Sequence, residues 1–210
     1  MKNEEYKKLS IAEFTKAAGR YESNHAGIYE MCKKDYPDIL EELEKEPFRD
    51  LLDAGCGPAP MISLLAEKYP DRHYTGLDLT PAMIEQAKKK NIPNATFVVG
   101  DCENFPFEND SFDVIICSMS FHHYPNPQAF FDSVKRCLRP NGRLILIAVF
   151  DCRKSVCDDN ESPSCNKLCD RILQNSFILR ICVCSRLVKN NNWRIFKHSS
   201  CNRNTLSLTS

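Results

Sequence analysis

The chain has 210 residues, of which 42% are hydrophobic, 27% charged and 10% aromatic. That length supports one domain with a substantial core, and that composition excludes disordered, collagenous and coiled-coil chains. Basic and acidic residues both number 28, so no bulk field directs the chain to nucleic acid or to an anionic membrane, and no nucleic-acid partner is expected.

The opening segment, MKNEEYKKLS, lacks the apolar stretch of a secretory signal, and no apolar run reaches the ~18 residues of a bilayer span. A cytoplasmic setting is expected, in which the thiols stay reduced. Two helices are predicted before residue 48: Leu9 to Ala18, and Pro37 to Lys45 with Ile39, Leu40 and Leu43 inward. They form a helical cap or a lid, and the sequence leaves that choice open.

From residue 48 short apolar runs alternate with helix-period segments. The runs lie at 50–54, 73–77, 96–99, 112–117 and 143–150, the last apolar on both faces after Arg143, as a buried parallel strand is. Residues 60–69 place Met61, Leu64, Leu65 and Tyr69 on one stripe. Thr80-Pro81 and Asn126-Pro127 each read as an N-cap followed by proline in the first helical turn. The helix opened at Asn126 carries Phe130, Phe131, Val134 and Leu138 and exits through Arg139-Pro140-Asn141-Gly142. Such units in series predict an α/β fold with a doubly wound, mostly parallel sheet whose ligands bind at the carboxyl ends of the strands.

The densest chemical signal is Leu51-Leu52-Asp53-Ala54-Gly55-Cys56-Gly57-Pro58-Ala59, a strand entering a glycine turn before a helix. Gly55 and Gly57 permit positive φ and close approach of backbone to a ligand; a tight turn with no ligand is the plainer alternative. Asp78 ends the second strand, 23 residues after Gly55, where a carboxylate accepts from both hydroxyls of a ribose. Asp101, followed by Cys102, ends the third and is placed to accept from an exocyclic adenine amine. A dinucleotide site prefers a third glycine where Pro60 stands, and Asp53 suits an ammonium better than a diphosphate. S-adenosyl-L-methionine therefore fits better than a nicotinamide cofactor.

On these residues the segment 48–149 resembles a class I S-adenosylmethionine-dependent methyltransferase, and within that class the ubiquinone and menaquinone biosynthesis group. The similarity is carried by Asp53-Ala-Gly-Cys-Gly57, Gly76-Leu-Asp78, Gly100-Asp101-Cys102-Glu103-Asn104-Phe105-Pro106-Phe107, Phe112-Asp113-Val114-Ile115-Ile116 and Leu138-Arg-Pro-Asn-Gly142. It implies that Asp53, Gly55, Cys56 and Gly57 cradle the methionine portion, that Asp78 holds the ribose, and that Leu79 packs on the adenine. It further implies that Asp101 and Cys102 read the adenine edge and that Ser118 lines the methionine end. Ala59 stands where the family has its third glycine. No metal is implied.

The loop after the fourth strand holds His122 and His123. Either imidazole is a candidate general base, with an orienting role as the alternative. Phe14, Tyr21 and Tyr124 are candidates for aromatic contact with a sulfonium, or for core packing.

Residues 151–210 break the pattern at Phe150, a provisional boundary. They contain no glycine, 10 basic against 5 acidic residues, and 7 of the 12 cysteines. Cys152, Cys157, Cys165 and Cys169 lack a Cys-x-x-Cys knuckle, which disfavours zinc. The stretch from Phe177 to Val188 is apolar enough for a strand or helix. The helix, sixth strand and antiparallel seventh strand that the resemblance implies are not legible; a lineage-specific substrate or interaction segment is one alternative, and the favoured reading is a tail foreign to the fold, as a shifted reading frame or an alternative end would make it. On that reading the fifth strand is a sheet edge. The expected function is methyl transfer to a small-molecule acceptor; the alternative is a pseudoenzyme that binds S-adenosylmethionine without turnover.

Overall fold

The computed structural model describes residues 3–23, 27–149, 178–184, 198–199 and 202–203. Three helices precede the sheet: α1 (Asn3–Ala17), α2 (Gly27–Lys33) and α3 (Tyr36–Glu44). The chain then alternates through β1 (Asp50–Ala54), α4 (Pro60–Lys68), β2 (His73–Asp78), α5 (Pro81–Lys89), β3 (Ala95–Val99), β4 (Phe112–Ser118), α6 (Pro127–Cys137) and β5 (Leu138–Val149). The strands stand in the order β3-β2-β1-β4-β5 and every pairing among them is parallel. β3 and β4 are joined by residues 100–111 without a helix.

Successive strand residues enter opposite cores, which is why the runs read as continuously apolar. Leu51, Val114, Ile116, Ile145 and Ile147 pack with α3, α4 and α5 on one face. Leu52, Ile115, Cys117, Leu144 and Leu146 pack with Phe130, Phe131 and Val134 of α6 on the other. Four of the described helices open with proline in the first turn, after Asp35, Ala59, Thr80 and Asn126. Of the two expected caps only Asn126 acts through its side chain, accepting from the Ala129 amide at 3.4 Å, whereas Thr80 makes no such bond. At the exit from α6, Asn141 takes the left-handed conformation (φ 65°). Gly142 is needed for space, since a β-carbon there would lie 2.8 Å from the Arg139 carbonyl oxygen.

The N-terminal helices divide the two roles that the sequence left open. Ile39 and Leu43 of α3 are 1% and 2% exposed and belong to the core beside β1. α1 has no buried residue. No helix among the described residues is long and apolar enough to cross a membrane.

Beyond β5, β6 (Ile178–Cys184) pairs parallel with it from Arg143↔Ile178 to Val149↔Cys184, and β7 (His198–Ser199) pairs with β8 (Asn202–Arg203). The expectation of an exposed β5 edge is thus corrected: the ladder groups of β5 are taken up by an apolar strand inside the stretch 177–188. No antiparallel strand lies beside β5 among the described residues. The reading of the tail as foreign, and Cys152, Cys157, Cys165 and Cys169, lie outside the described residues.

One buried hydroxyl ties helix to sheet. Tyr74, 2% exposed, donates to the Leu65 carbonyl at 3.0 Å and the Tyr69 carbonyl at 2.7 Å, closing the C-terminal end of α4 onto β2. Tyr74→Phe is expected to lower the free energy of unfolding by about 1–2 kcal/mol, read as a lower urea midpoint at unchanged slope.

Candidate active site

The strand order reverses between β1 and β4, and a cleft opens there at the carboxyl ends of the strands, where neighbouring connections leave to opposite faces. Its larger lobe, of about 680 Å³, is lined by Gly55, Gly57, Asp78, Leu79, Asp101, Cys102, Ser118, His123 and Tyr124, and by Lys7, Ser10 and Phe14 from α1. A smaller lobe of about 360 Å³ adds Asp53, Cys56, Cys32 and Tyr36; Tyr21, Gly55, Gly57 and Ser118 line both. Of the eleven candidate residues read from sequence, ten line this cleft. His122 does not.

The turn after β1 is built by backbone. The amides of Gly55 and Cys56 donate to the Leu77 carbonyl at 2.7 and 3.0 Å, and that of Gly57 to Asp78 Oδ2 at 2.9 Å. Gly55 has φ 79°, and a β-carbon there would lie 2.3 Å from Ser120 Oγ; Gly57 has φ 54° and open space beside it. Ala59, at the family's third-glycine position, is itself left-handed (φ 60°). It carries about 1 kcal/mol of strain that a glycine would avoid. Burial pushes the Cys56 and Cys102 thiols well above their usual range, so neither is a ready nucleophile.

The three strand-end acids sit in different environments. Asp53 is 3% exposed, and neither a cation nor a hydrogen-bond donor meets its carboxylate among the described residues. Burial, and then the nearby Asp78, raise its pKa to about 7. Asp78 accepts from the amides of Gly57 and Thr80 at 2.9 and 2.8 Å; burial raises its pKa and those bonds oppose the rise. Asp101 accepts from the Glu103 amide at 2.8 Å and from Lys7 Nζ at 2.6 Å.

The loop after β4 forms the opposite wall. Ser120 Oγ and the Tyr124 hydroxyl both donate to the Ala54 carbonyl, at 2.9 and 3.3 Å, fastening the loop to the end of β1. Met119 is left-handed (φ 56°), a conformation that persists when the surroundings over-determine it. His123 lines the cleft and meets Phe14 edge to face with ring centroids 5.0 Å apart, while His122 lies exposed behind it. Burial pushes the His123 imidazole below the usual histidine range.

Residues 52–146 match the family model described as "Methyltransferase domain". Over 95 residues the chain is 43% identical to a phthiotriol/phenolphthiotriol dimycocerosates methyltransferase of Mycobacterium leprae, a match covering 45% of this chain and 35% of that protein. Over 141 residues it is 32% identical to a malonyl-[acyl-carrier protein] O-methyltransferase of Hahella chejuensis, covering 66% and 49%. Among solved structures it resembles the YcgJ protein of Bacillus subtilis with TM-score 0.51 and 27% identity, covering 59% of this chain and 55% of that one. The matched segment is a class I S-adenosylmethionine-dependent methyltransferase domain.

The chain spans about a third to a half of the length of these two curated relatives. The methyltransferase domain offers what the methionine end of its family's cofactor needs. Besides Asp53, Ser118 Oγ is buried with no hydrogen-bond partner among the described residues, and the glycine turn leaves no room for a side chain at Gly55. These residues fit an ammonium and a polar backbone-like group between β1 and β4. The sequence did not single out Lys7, Ser10, Cys32 or Tyr36, because none lies at a strand end; only the docking of the N-terminal helices brings them to the methyltransferase cleft. Phe14, Tyr21 and Tyr124 all line the cleft, and Tyr124 also holds the loop.

The raised Asp53 pKa carries a stability consequence. In the unfolded chain Asp53 ionises near pH 4, while in the ligand-free fold it keeps its proton to about pH 7, so stability is lost between those values and the loss levels off above. Asp53→Asn is therefore expected to stabilise the ligand-free protein by on the order of 2–4 kcal/mol at pH 8 and by little at pH 4. Urea titrations of both proteins at the two pH values measure this.

Proposed function

We propose that the chain is a transferase that moves a methyl group from S-adenosyl-L-methionine to a small organic or lipid acceptor by in-line displacement. The observation that carries the reading is Asp53: a buried carboxylate without a partner among the described residues, beside the unsatisfied Ser118 Oγ, at the strand end where this family holds the methionine group. When bound, the cofactor supplies a sulfonium whose methyl group is electrophilic. Asp53 binds the ammonium, Ser118 and the Gly55–Gly57 turn hold the rest of the methionine end, Asp78 accepts from the ribose hydroxyls, and Asp101 with Cys102 takes the adenine edge against Leu79.

His123 is the general base on this reading. It faces the cleft on the loop fixed to Ala54, and its lowered pKa keeps the imidazole neutral and able to accept the acceptor's proton at pH 7. His122 has the orienting role, its ring in tilted contact with that of His123 at 4.1 Å between centroids. Fixing donor and acceptor in line supplies the larger part of the acceleration. The acceptor end is bounded by Phe14, Met119, Tyr124 and Pro125, which suits an apolar or aromatic acceptor body. The names of the relatives, a dimycocerosate methyltransferase and an acyl-carrier O-methyltransferase, support lipid-like acceptors. No observation favours the binding-only alternative, which drew its support from the tail.

Calorimetric titration of the full chain with S-adenosylhomocysteine tests the cofactor site. One-to-one binding by the native protein, lost in Asp78→Ala, is the expected result; no binding by a chain folded by circular dichroism defeats the reading. With a methyl acceptor in hand, His123→Ala is expected to lower kcat at least about a hundredfold with little change in the KM for S-adenosylmethionine. Because the base must be unprotonated and burial holds its pKa below the usual histidine range, the acidic limb of native kcat is expected to lie below the pH at which an ordinary imidazole titrates. A limb centred above pH 7 would exclude His123.

A further inference from the structure

The N-terminal helix α1 buries no residue of its own, yet it places one cation inside the methyltransferase cleft. The Lys7 side chain is 16% exposed, with Nζ 2.6 Å from Asp101 Oδ2 and 2.5 Å from Glu103 Oε2. We propose that Lys7 is a positioning residue that sets base specificity: held between Asp101 and Glu103, it fixes the Asp101 carboxylate as an acceptor for the 6-amino group of a purine. The proposal rests on the cofactor reading above and adds to it a residue from outside the strand-end motifs.

The argument is electrostatic. Two carboxylates that share one ammonium are close enough to repel one another when the ammonium is removed. Glu103 is the fixed member: its side chain is 7% exposed and it also accepts the Asn126 amide at the start of α6. Asp101 is the movable one, with its side chain 32% exposed and facing the cleft. Its Oδ1 accepts the Glu103 amide and its Oδ2 the Lys7 ammonium, which pins the plane of the carboxylate. A carboxylate offers about four acceptor sites, so acceptor capacity remains on the cleft side. A 6-amino purine donates to that oxygen, whereas a 6-oxo purine presents an acceptor and is repelled by it. Without Lys7, Asp101 swings away from Glu103 toward water, and the cleft loses the fixed acceptor that separates the two bases.

The test uses the full chain and two probes, S-adenosylhomocysteine and its 6-oxo counterpart S-inosylhomocysteine, titrated calorimetrically. Lys7→Met is expected to weaken S-adenosylhomocysteine binding about tenfold or more, the worth of one hydrogen bond to a charged group, while S-inosylhomocysteine binding stays within about twofold. The adenine preference therefore collapses, and Lys7→Arg restores most of it. Lys90→Met serves as the structural control. Lys90 holds the same N-terminal segment through Glu22 at 2.7 Å, away from Asp101, and its removal is expected to leave the preference intact.

Equal weakening of both ligands in Lys7→Met, or collapse of the preference in Lys90→Met, would show that α1 only covers the cleft and would overturn the proposal while leaving the cofactor site standing. Absence of S-adenosylhomocysteine binding in the folded native chain overturns the cofactor reading and this proposal with it. Far-ultraviolet circular dichroism of each variant confirms that α1 and the fold are retained.

Discussion

A carboxylate without a cation at the end of the central strand is the constraint around which this cleft is arranged. β1 lies between β2 and β4 in the middle of the sheet, so its last residues are covered from both faces, and Asp53 is 3% exposed. In an ordinary core such a group costs several kcal/mol and is replaced or paired. Here burial raises its pKa to about 7, and it stands next to a second buried polar atom without a partner among the described residues, Ser118 Oγ. Both defects face the same small lobe between β1 and β4. Stability given up at one place, in groups aimed at one cavity, is the mark of a site shaped for a ligand that brings the missing charge and hydrogen bonds.

The other two acids show how the same side chain is made to do different work. Asp78 spends both oxygens on the amides of Gly57 and Thr80, so it shapes the glycine turn as well as facing the cleft, and it remains close enough to Asp53 to raise that group's pKa. Asp101 is compensated by Lys7. No cation stands beside Asp53 or Asp78 among the described residues, so the three strand-end acids differ in how their charge is compensated.

Much of this was legible in the amino-acid sequence, for a physical reason: parallel strands buried on both faces are short uninterrupted apolar runs, and β1 to β4 each begin and end within a residue of such a run. The strand-end acids and glycines were legible because a parallel sheet delivers its carboxyl ends to one place whatever the details of packing. What was not legible lies off the strands. Asn141, and not Gly142, takes the left-handed turn, since a polar side chain tolerates that conformation and glycine was needed there for space. α2, seven residues long, is too short to show a helical period, and α1 begins six residues before the expected Leu9, because a helix without a buried face has no apolar period to detect. Its contribution, Lys7, is visible only once tertiary contacts bring position 7 to Asp101. The pairing of β6 with β5 depended likewise on a partner distant in sequence.

The cleft consequently has two halves of unequal rigidity. The cofactor half is made of strand ends and a backbone-bonded turn whose side chains belong to the core clusters on either face of the sheet. The proposed acceptor half is made of the part of α1 that carries Phe14 and of the loop carrying Met119 and His123, which is pinned at Ala54 by Ser120 and Tyr124. Those two bonds matter because they index the loop to β1, the strand that carries Asp53. The proposed base His123 and the carboxylate of Asp53 are then located from one reference. The remaining walls contribute to no ladder and to little of the core, so their residues are free to vary with the acceptor without disturbing that alignment.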